Sequence, residues 1–244
     1  MAKKLNDIQN LIESKSFLFH QYFYDNIDAD VKKFISHLKN KTRVFIFSGI
    51  IRDFFLFKSH TPFRDIDLII EDDLILENIF QDLNFKKNSF GGYKIKFKEV
   101  DIDLWVIKKT WALNRGQLKF EFDYLNTLPK TTFFNFSSII YSLSSKKFII
   151  GKDFLRFLRD KKIELVLGEN PYPDLCIVNS FYYSDKLKLD IGMKLKSYLK
   201  SNYTENKENL KTIQLKHFGH ILYSDDYIKN RIERIIPTTN SLNY

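Results

Sequence analysis

The 244-residue chain contains a single cysteine, Cys176, so it forms no internal disulfide framework and fits a reducing compartment. It has no run of about 18 apolar residues, so no membrane-spanning helix is expected. The opening residues, MAKKLNDIQNLIESK, lack the apolar segment and cleavage site of a secretory signal, and the expected location is cytoplasmic. No internal repeat and no low-complexity linker interrupts the pattern. Acidic residues are the scarcer charge. Thirty Asp and Glu stand against 39 Lys and Arg, and the net charge of +9 favours polyanionic partners. Lys, Asn, Ile and Phe are all abundant, so a general compositional bias accounts for part of that charge.

What remains is an ordinary folded composition, 44% hydrophobic and 28% charged, enough for one core with a small helical appendage. Residues 5–39 read as helical. Val31, Phe34, Ile35 and Leu38 recur at helical spacing, with Asp28 or Asp30 as the cap. Short apolar runs at 43–47 and 65–70 read as strands, with a helix over 50–58 between them. Residues 74–84 read as a helix. Tyr93, Ile95 and Phe97 alternate with Lys94, Lys96 and Lys98, the two-residue period of a half-exposed strand. A further strand runs through Asp101–Trp105, and others are expected at 119–124 and 147–150. From 151 onward the periods are helical: 152–167, 173–187, 190–201 and 206–235. The expected fold class is α/β (α+β), a mixed sheet flanked by helices with a helical C-terminal region. The expected divisions are 1–39, 40–150 and 151–244.

Residues 44–70, VFIFSGIIRDFFLFKSHTPFRDIDLII, carry the chemistry. A strand ends in Ser48-Gly49, a helix holding Arg52-Asp53 follows, and the next strand holds Asp65 and Asp67. Strand alternation puts these two carboxylates on one face about 7 Å apart, where they repel unless a cation lies between them. A hard divalent ion with oxygen ligands, Mg²⁺ for phosphate chemistry, is the natural partner. A third carboxylate completes a site for two ions. Asp101 and Asp103 offer it, and Asp103 is favoured because it leads directly into an apolar run, as Asp67 does. The Ser48-Gly49 turn and the helix start behind it suit a triphosphate, with Arg52 as a cation and Asp53 ordering it. The basic residues at 146–162 and 186–200 read first as solvated helix faces, and Phe148, Phe154 and Phe157 as core or stacking residues.

With these residues identified, the sequence resembles the head domain of tRNA CCA-adding enzymes and bacterial poly(A) polymerases, within the DNA polymerase β-type nucleotidyltransferase superfamily. The family motif Gly-Gly-x-x-Arg-Asp followed by Asp-x-Asp is matched by Ser48-Gly49-Ile50-Ile51-Arg52-Asp53 and Asp65-Ile66-Asp67. The family's nucleotide-contacting segment ends in an Asn, which Asn135 matches within Lys130–Asn135. Glu169-Asn170-Pro171 and the helix after it resemble the start of the family's neck. The chain is short, and its neck diverges: the positions of the base-reading arginines fall on Cys176, Asn179 and Tyr182.

The resemblance implies Mg²⁺-dependent transfer of a nucleoside monophosphate from an NTP to an acceptor hydroxyl, with release of pyrophosphate. The expected metal ligands and catalytic residues are Asp65, Asp67 and Asp103. The expected nucleotide-binding residues are Ser48, Gly49, Arg52, Asp53 and Asn135. Expected partners are NTP and RNA, with a tRNA-like 3′ end as the first acceptor, and no membrane. Two alternatives stay open. One is a toxin or defence nucleotidyltransferase acting on tRNA, a protein or a small molecule. The other is a degenerate module that binds NTP or RNA without turnover.

Overall fold

The structure is a computed structural model that describes residues 4–57, 63–72, 74, 79, 83–88, 91–114 and 124–235. The chain divides into two compact units, Met1–Arg159 and Asp160–Tyr244.

Three helices open the first unit: α1 (Leu5–Ser14), α2 (Ser16–Asp25) and α3 (Ala29–Lys39). The Asp28 carboxylate caps α3 by accepting from the Val31 amide at 2.8 Å. The buried face of α3 consists of Val31, Phe34, Ile35 and Leu38, as their spacing requires.

Seven strands follow: β1 (Val44–Phe47), β2 (Asp65–Ile70), β3 (Asn84–Lys87), β4 (Tyr93–Lys96), β5 (Asp101–Val106), β6 (Ile139–Ser142) and β7 (Lys147–Ile150). They form one mixed sheet in the order β3-β4-β5-β2-β1-β6-β7. Only the β2–β5 pair is parallel among the pairings of these strands. Helix α4 (Gly49–Phe57) links β1 to the segment before β2, and the short α5 (Trp111–Asn114) and α6 (Tyr124–Thr127) follow β5. Helix α7 (Lys152–Asp160) follows β7.

Alternation gives the sheet two unlike faces. Ile66, Leu68 and Ile70 of β2 and Ile102, Leu104 and Val106 of β5 point to one side and are almost wholly buried. Helices α3 and α4 pack on β1, and α4 also packs on β2 and β6. Aromatic rings fill the seam: Phe19 meets Tyr141, Phe148 and Phe54 at centroid distances of 4.7, 5.2 and 5.3 Å. The opposite face carries Asp65, Asp67 and Ile69 of β2 and Asp101, Asp103 and Trp105 of β5. Its apolar end is covered by Ile107, Leu113 and Leu128, packed with Phe45, Ile69 and Ile140. Its carboxylate end stays partly open, with side-chain exposures near 30%.

The second unit contains β8 (Lys162–Ile163), α8 (Pro173–Leu187), β9 (Asp190–Ile191), α9 (Met193–Asn206), α10 (Leu210–Phe218) and α11 (Asp225–Ile235). Glu164 caps α9 from a distance in sequence: its carboxylate accepts from the Leu195 amide at 2.7 Å and the Lys194 amide at 3.3 Å. Gly192 leaves room for this carboxylate: a Cβ there would lie 2.3 Å from Glu164 Oε2 and would make the cap shift.

Some elements depart from the sequence expectations. The helix expected over 152–167 stops at Asp160, because Lys161 takes the left-handed conformation (φ 53°) and β8 then pairs in parallel with β9. The helix expected over 206–235 is cut in two. Gly219 (φ 76°) ends α10, and buried Gln214 holds the following loop. The Gln214 amide donates to the Leu210 and Tyr223 carbonyls and accepts from the Leu222 and Tyr223 amides, all within 2.8–3.1 Å. The expected helix over 74–84 lies mostly outside the described residues, and its last residue, Asn84, begins β3. The expected strand over 119–124 likewise lies outside them except for Tyr124, which begins α6. Strand β6 was not expected.

Candidate active site

Ser48 is where the chain turns from strand to helix. Its amide donates to the Ile139 carbonyl at 3.2 Å, continuing the β1–β6 pairing by one residue. Its φ of 53° then swings the chain round, and its carbonyl accepts from the Arg52 amide at 3.0 Å, closing the first turn of α4. A Cβ built at Gly49 would meet nothing within 4 Å, so the start of α4 faces open space. The first amides of a helix have no acceptor within it, and the helix dipole makes this end positive. An anion's oxygens are thus given donors, charge and room.

The carboxylates lie on the neighbouring strands. Parallel register sets Asp65 opposite Asp101 and Asp67 opposite Asp103, so all four share one face. This is the consequence of two Asp-x-Asp strands pairing in step. Burial pushes the Asp67 carboxyl up to about 7, helped by the negative charges of Asp103 and then Asp65. Lys94 and Arg52 pull in the other direction without offsetting this. Phe47 and Trp105 meet edge to face at 5.7 Å on the same side of the sheet, and the Trp105 indole N–H donates to Thr110 at 3.3 Å.

One cation stands among the carboxylates that the sequence did not point to. Lys94 of β4 is set opposite Asp103 by antiparallel register. Its Nζ donates to Asp103 at 3.3 Å and lies 3.6 Å from Asp101 and 3.8 Å from Asp65. Burial alone would lower its pKa, yet Asp103, Asp65 and Asp101 together raise it. In sequence, Lys94 is one of three alternating lysines on a half-exposed strand. Lys96 is likewise set opposite a carboxylate, Asp101, but is exposed. Arg64 also pairs with Asp65, from a strongly exposed position where such a bridge contributes little.

Arg52 is buried and close enough for its charge to act on Asp67. It is 5% exposed, its Nε donates to Asp53 at 2.7 Å, and its guanidinium sits 5.3 Å from the centroid of the Phe136 ring. Asp53 thus holds the Arg52 side chain by a charged hydrogen bond. Phe136 belongs to the single turn Asn135–Ser137, which packs against α4, so buried Asn135 is brought beside the Arg52 helix. That turn is fastened by Ser138, whose hydroxyl donates to the Pro129 carbonyl at 2.7 Å and whose own carbonyl accepts from the Gly151 amide. Thr131 and Thr132 bond their hydroxyls to nearby carbonyls and are buried, a structural use of that segment.

The donor set suits a hard divalent ion: several carboxylate oxygens on one face, one of them held up to about 7 by burial and then by its acidic neighbours. As they stand, no three or more His, Cys, Asp or Glu side chains among the described residues are gathered closely enough to hold an ion. The cations paired with the carboxylates are Lys94 and, at Asp65, Arg64.

In the second unit, Cys176, Asn179 and Tyr182 lie along α8 at three-residue intervals. Cys176 is buried, and burial drives its thiol pKa up. Tyr182 rests on Phe218 at 5.4 Å. None of the three offers a guanidinium to a base. Phe154 and Phe157 are fully buried core residues, while Lys146, Lys147, Lys152 and Arg156 around them are exposed.

No protein-family model matches the sequence, and no curated protein is similar to it in sequence. Solved structures are similar in fold. A CCA-adding enzyme in complex with CTP superposes with a TM-score of 0.62 at 14% identity, covering 88% of this chain and 54% of its own. A tRNA-processing enzyme complex gives 0.56 at 18% identity, covering 81% and 54%. A tRNA nucleotidyltransferase complexed with a primer tRNA and an incoming ATP analogue gives 0.56 at 19% identity, covering 81% and 58%. The chain spans about half the length of these structures. At such identities the likeness establishes the fold, a mixed sheet flanked by helices that matches the nucleotidyltransferase head of CCA-adding enzymes.

Proposed function

We propose that the protein is an Mg²⁺-dependent nucleotidyltransferase that moves a nucleoside monophosphate from an NTP to an acceptor hydroxyl, with an RNA 3′ end of tRNA type as the acceptor. One observation carries the reading. The parallel pairing of β2 with β5 puts two Asp-x-Asp pairs in register on a single sheet face. The Ser48-Gly49 turn ends β1, the strand paired to the other edge of β2. The shared fold with nucleotidyltransferase heads supports it, as do the CTP and primer tRNA present in those structures.

In this reading Asp65, Asp67 and Asp103 hold the metal. When bound, divalent ions neutralise the triphosphate and make the acceptor hydroxyl easier to deprotonate. The Ser48 hydroxyl and the first amides of α4 donate to phosphate oxygens. Arg52 acts through its charge, which favours both ionised Asp67 and the incoming phosphates, and Asp53 fixes its direction. Asn135 borders the nucleotide from the turn packed on α4. Asp103 accepts the acceptor's proton. The acceptor oxygen bonds to the α-phosphorus, the bond to the bridging oxygen of the β-phosphate breaks, and pyrophosphate leaves. Rate comes from positioning and charge neutralisation. The absence of guanidinium groups at 176, 179 and 182 separates this chain from an ordered C-C-A product.

The double substitution Asp65→Ala with Asp67→Ala is the test. Transfer of labelled NMP onto bulk tRNA falls by at least about a thousandfold, while the thermal melt still shows a folded protein. Undiminished transfer in the double variant contradicts the assignment.

A further inference from the structure

Lys94 stands among the carboxylates of the site, and the proposed chemistry gives it no role. Its ammonium lies within 4 Å of three carboxylates carried by two strands, at 3.3 Å from Asp103, 3.6 Å from Asp101 and 3.8 Å from Asp65. A point so placed is strongly negative in potential, and a divalent ion is drawn to the same region. The placement is built into the sheet: β4 runs antiparallel to β5 and sets Lys94 opposite Asp103 on the carboxylate face. Lys96, two residues on and opposite Asp101, is exposed instead.

Taking the site as a metal–triphosphate site, we infer that Lys94 is a resident counter-cation that holds the carboxylate cluster together without metal and competes with the divalent ion for it. The ammonium relieves repulsion among Asp65, Asp101 and Asp103, so the sheet folds with its catalytic face already assembled. Entry of the ion requires the ammonium to leave. Its four-carbon stem permits that, and the side chain is already 39% exposed. An arriving triphosphate offers the displaced ammonium new oxygen partners. The protein alone therefore binds divalent ions weakly, and nucleotide and ion enter best together.

The test is Mn²⁺ binding by titration calorimetry to the full-length protein and to Lys94→Met, with folding of each checked by thermal melt. Lys94→Met is expected to bind Mn²⁺ on the order of tenfold tighter than the wild type. A second measurement needs no variant. Acylation of lysines in the wild type, mapped by mass spectrometry, rises several-fold at Lys94 when Mn²⁺ saturates the site and stays unchanged at Lys96. If Lys94→Met does not fold, the labelling decides. Mn²⁺ binding by both proteins with no gain in Lys94→Met, or Lys94 labelling that does not rise with Mn²⁺, overturns the inference and leaves the proposed function standing. Absence of Mn²⁺ binding in both proteins overturns the two together.

Discussion

Ser48 occupies a left-handed conformation that costs a non-glycine residue about 1–2 kcal/mol, and it does so at the turn from β1 into α4. Ser48→Gly removes that cost and adds some unfolded-state entropy, for a net gain of about 0.5–1 kcal/mol. The melting temperature is expected to rise by about 1–4 °C in scanning calorimetry, while triphosphate affinity falls with the loss of the hydroxyl donor. Asp67 carries a second local cost. Its carboxyl is held up to about 7 in the folded protein, against an ordinary value of 3.8. The folded state therefore binds this proton more tightly than the unfolded state does. Stability is greatest below pH 4 as far as this group is concerned, and its contribution is lost as pH rises toward 7. Asp67→Asn is expected to stabilise the metal-free protein at pH 8 by about 1–4 kcal/mol, with the gain vanishing near pH 4, as read by denaturant titrations at the two pH values. The sequence marked both residues as candidates for the site. Their costs were not legible there, because a backbone angle and a burial are properties of the fold.

At the level of elements, β2 and β5 were readable because each pairs an Asp-x-Asp with an apolar run on a two-residue period. Strand β6 was not: Ile139–Ser142 is buried at every position and so shows no alternation. Strand β3 is an edge strand with three exposed residues out of four, and it lacks the apolar signal. The early end of α7 at Lys161 had no glycine to announce it. Lys94 was visible only as one of a row of lysines, since its meaning depends on which strand β4 pairs with and in what register. Close packing at element joints gives further tests. Gly151 leads into α7, and a Cβ there would lie 2.1 Å from Ser138 Oγ and 2.8 Å from Pro129 Cβ. Gly151→Ala is expected to destabilise the protein by about 1–3 kcal/mol and, by shifting the Ser138 tether, to weaken nucleotide binding through the Asn135 turn. In the second unit, Gln214→Leu leaves two carbonyls and two amides of the α10–α11 region without their partner. A loss of about 2–4 kcal/mol is expected in chemical denaturation, with nucleotide binding by the first unit unchanged.

For the whole molecule, every residue assigned to nucleotide or metal, from Ser48 to Asn135, belongs to the unit Met1–Arg159. The net charge of +9 suits a polyanionic acceptor, although the charge alone names none. The central claim is nucleotidyl transfer at the Asp65–Asp67–Asp103 face, and the most direct measurement joins its parts. The protein is incubated with each NTP and bulk tRNA, with and without Mg²⁺, and RNA 3′ ends are sequenced. Added nucleotides that require both Mg²⁺ and Asp65 with Asp67 are the predicted result. Nucleotide binding without any added nucleotide, on any RNA in the mixture, would contradict the claim and identify a binding module instead.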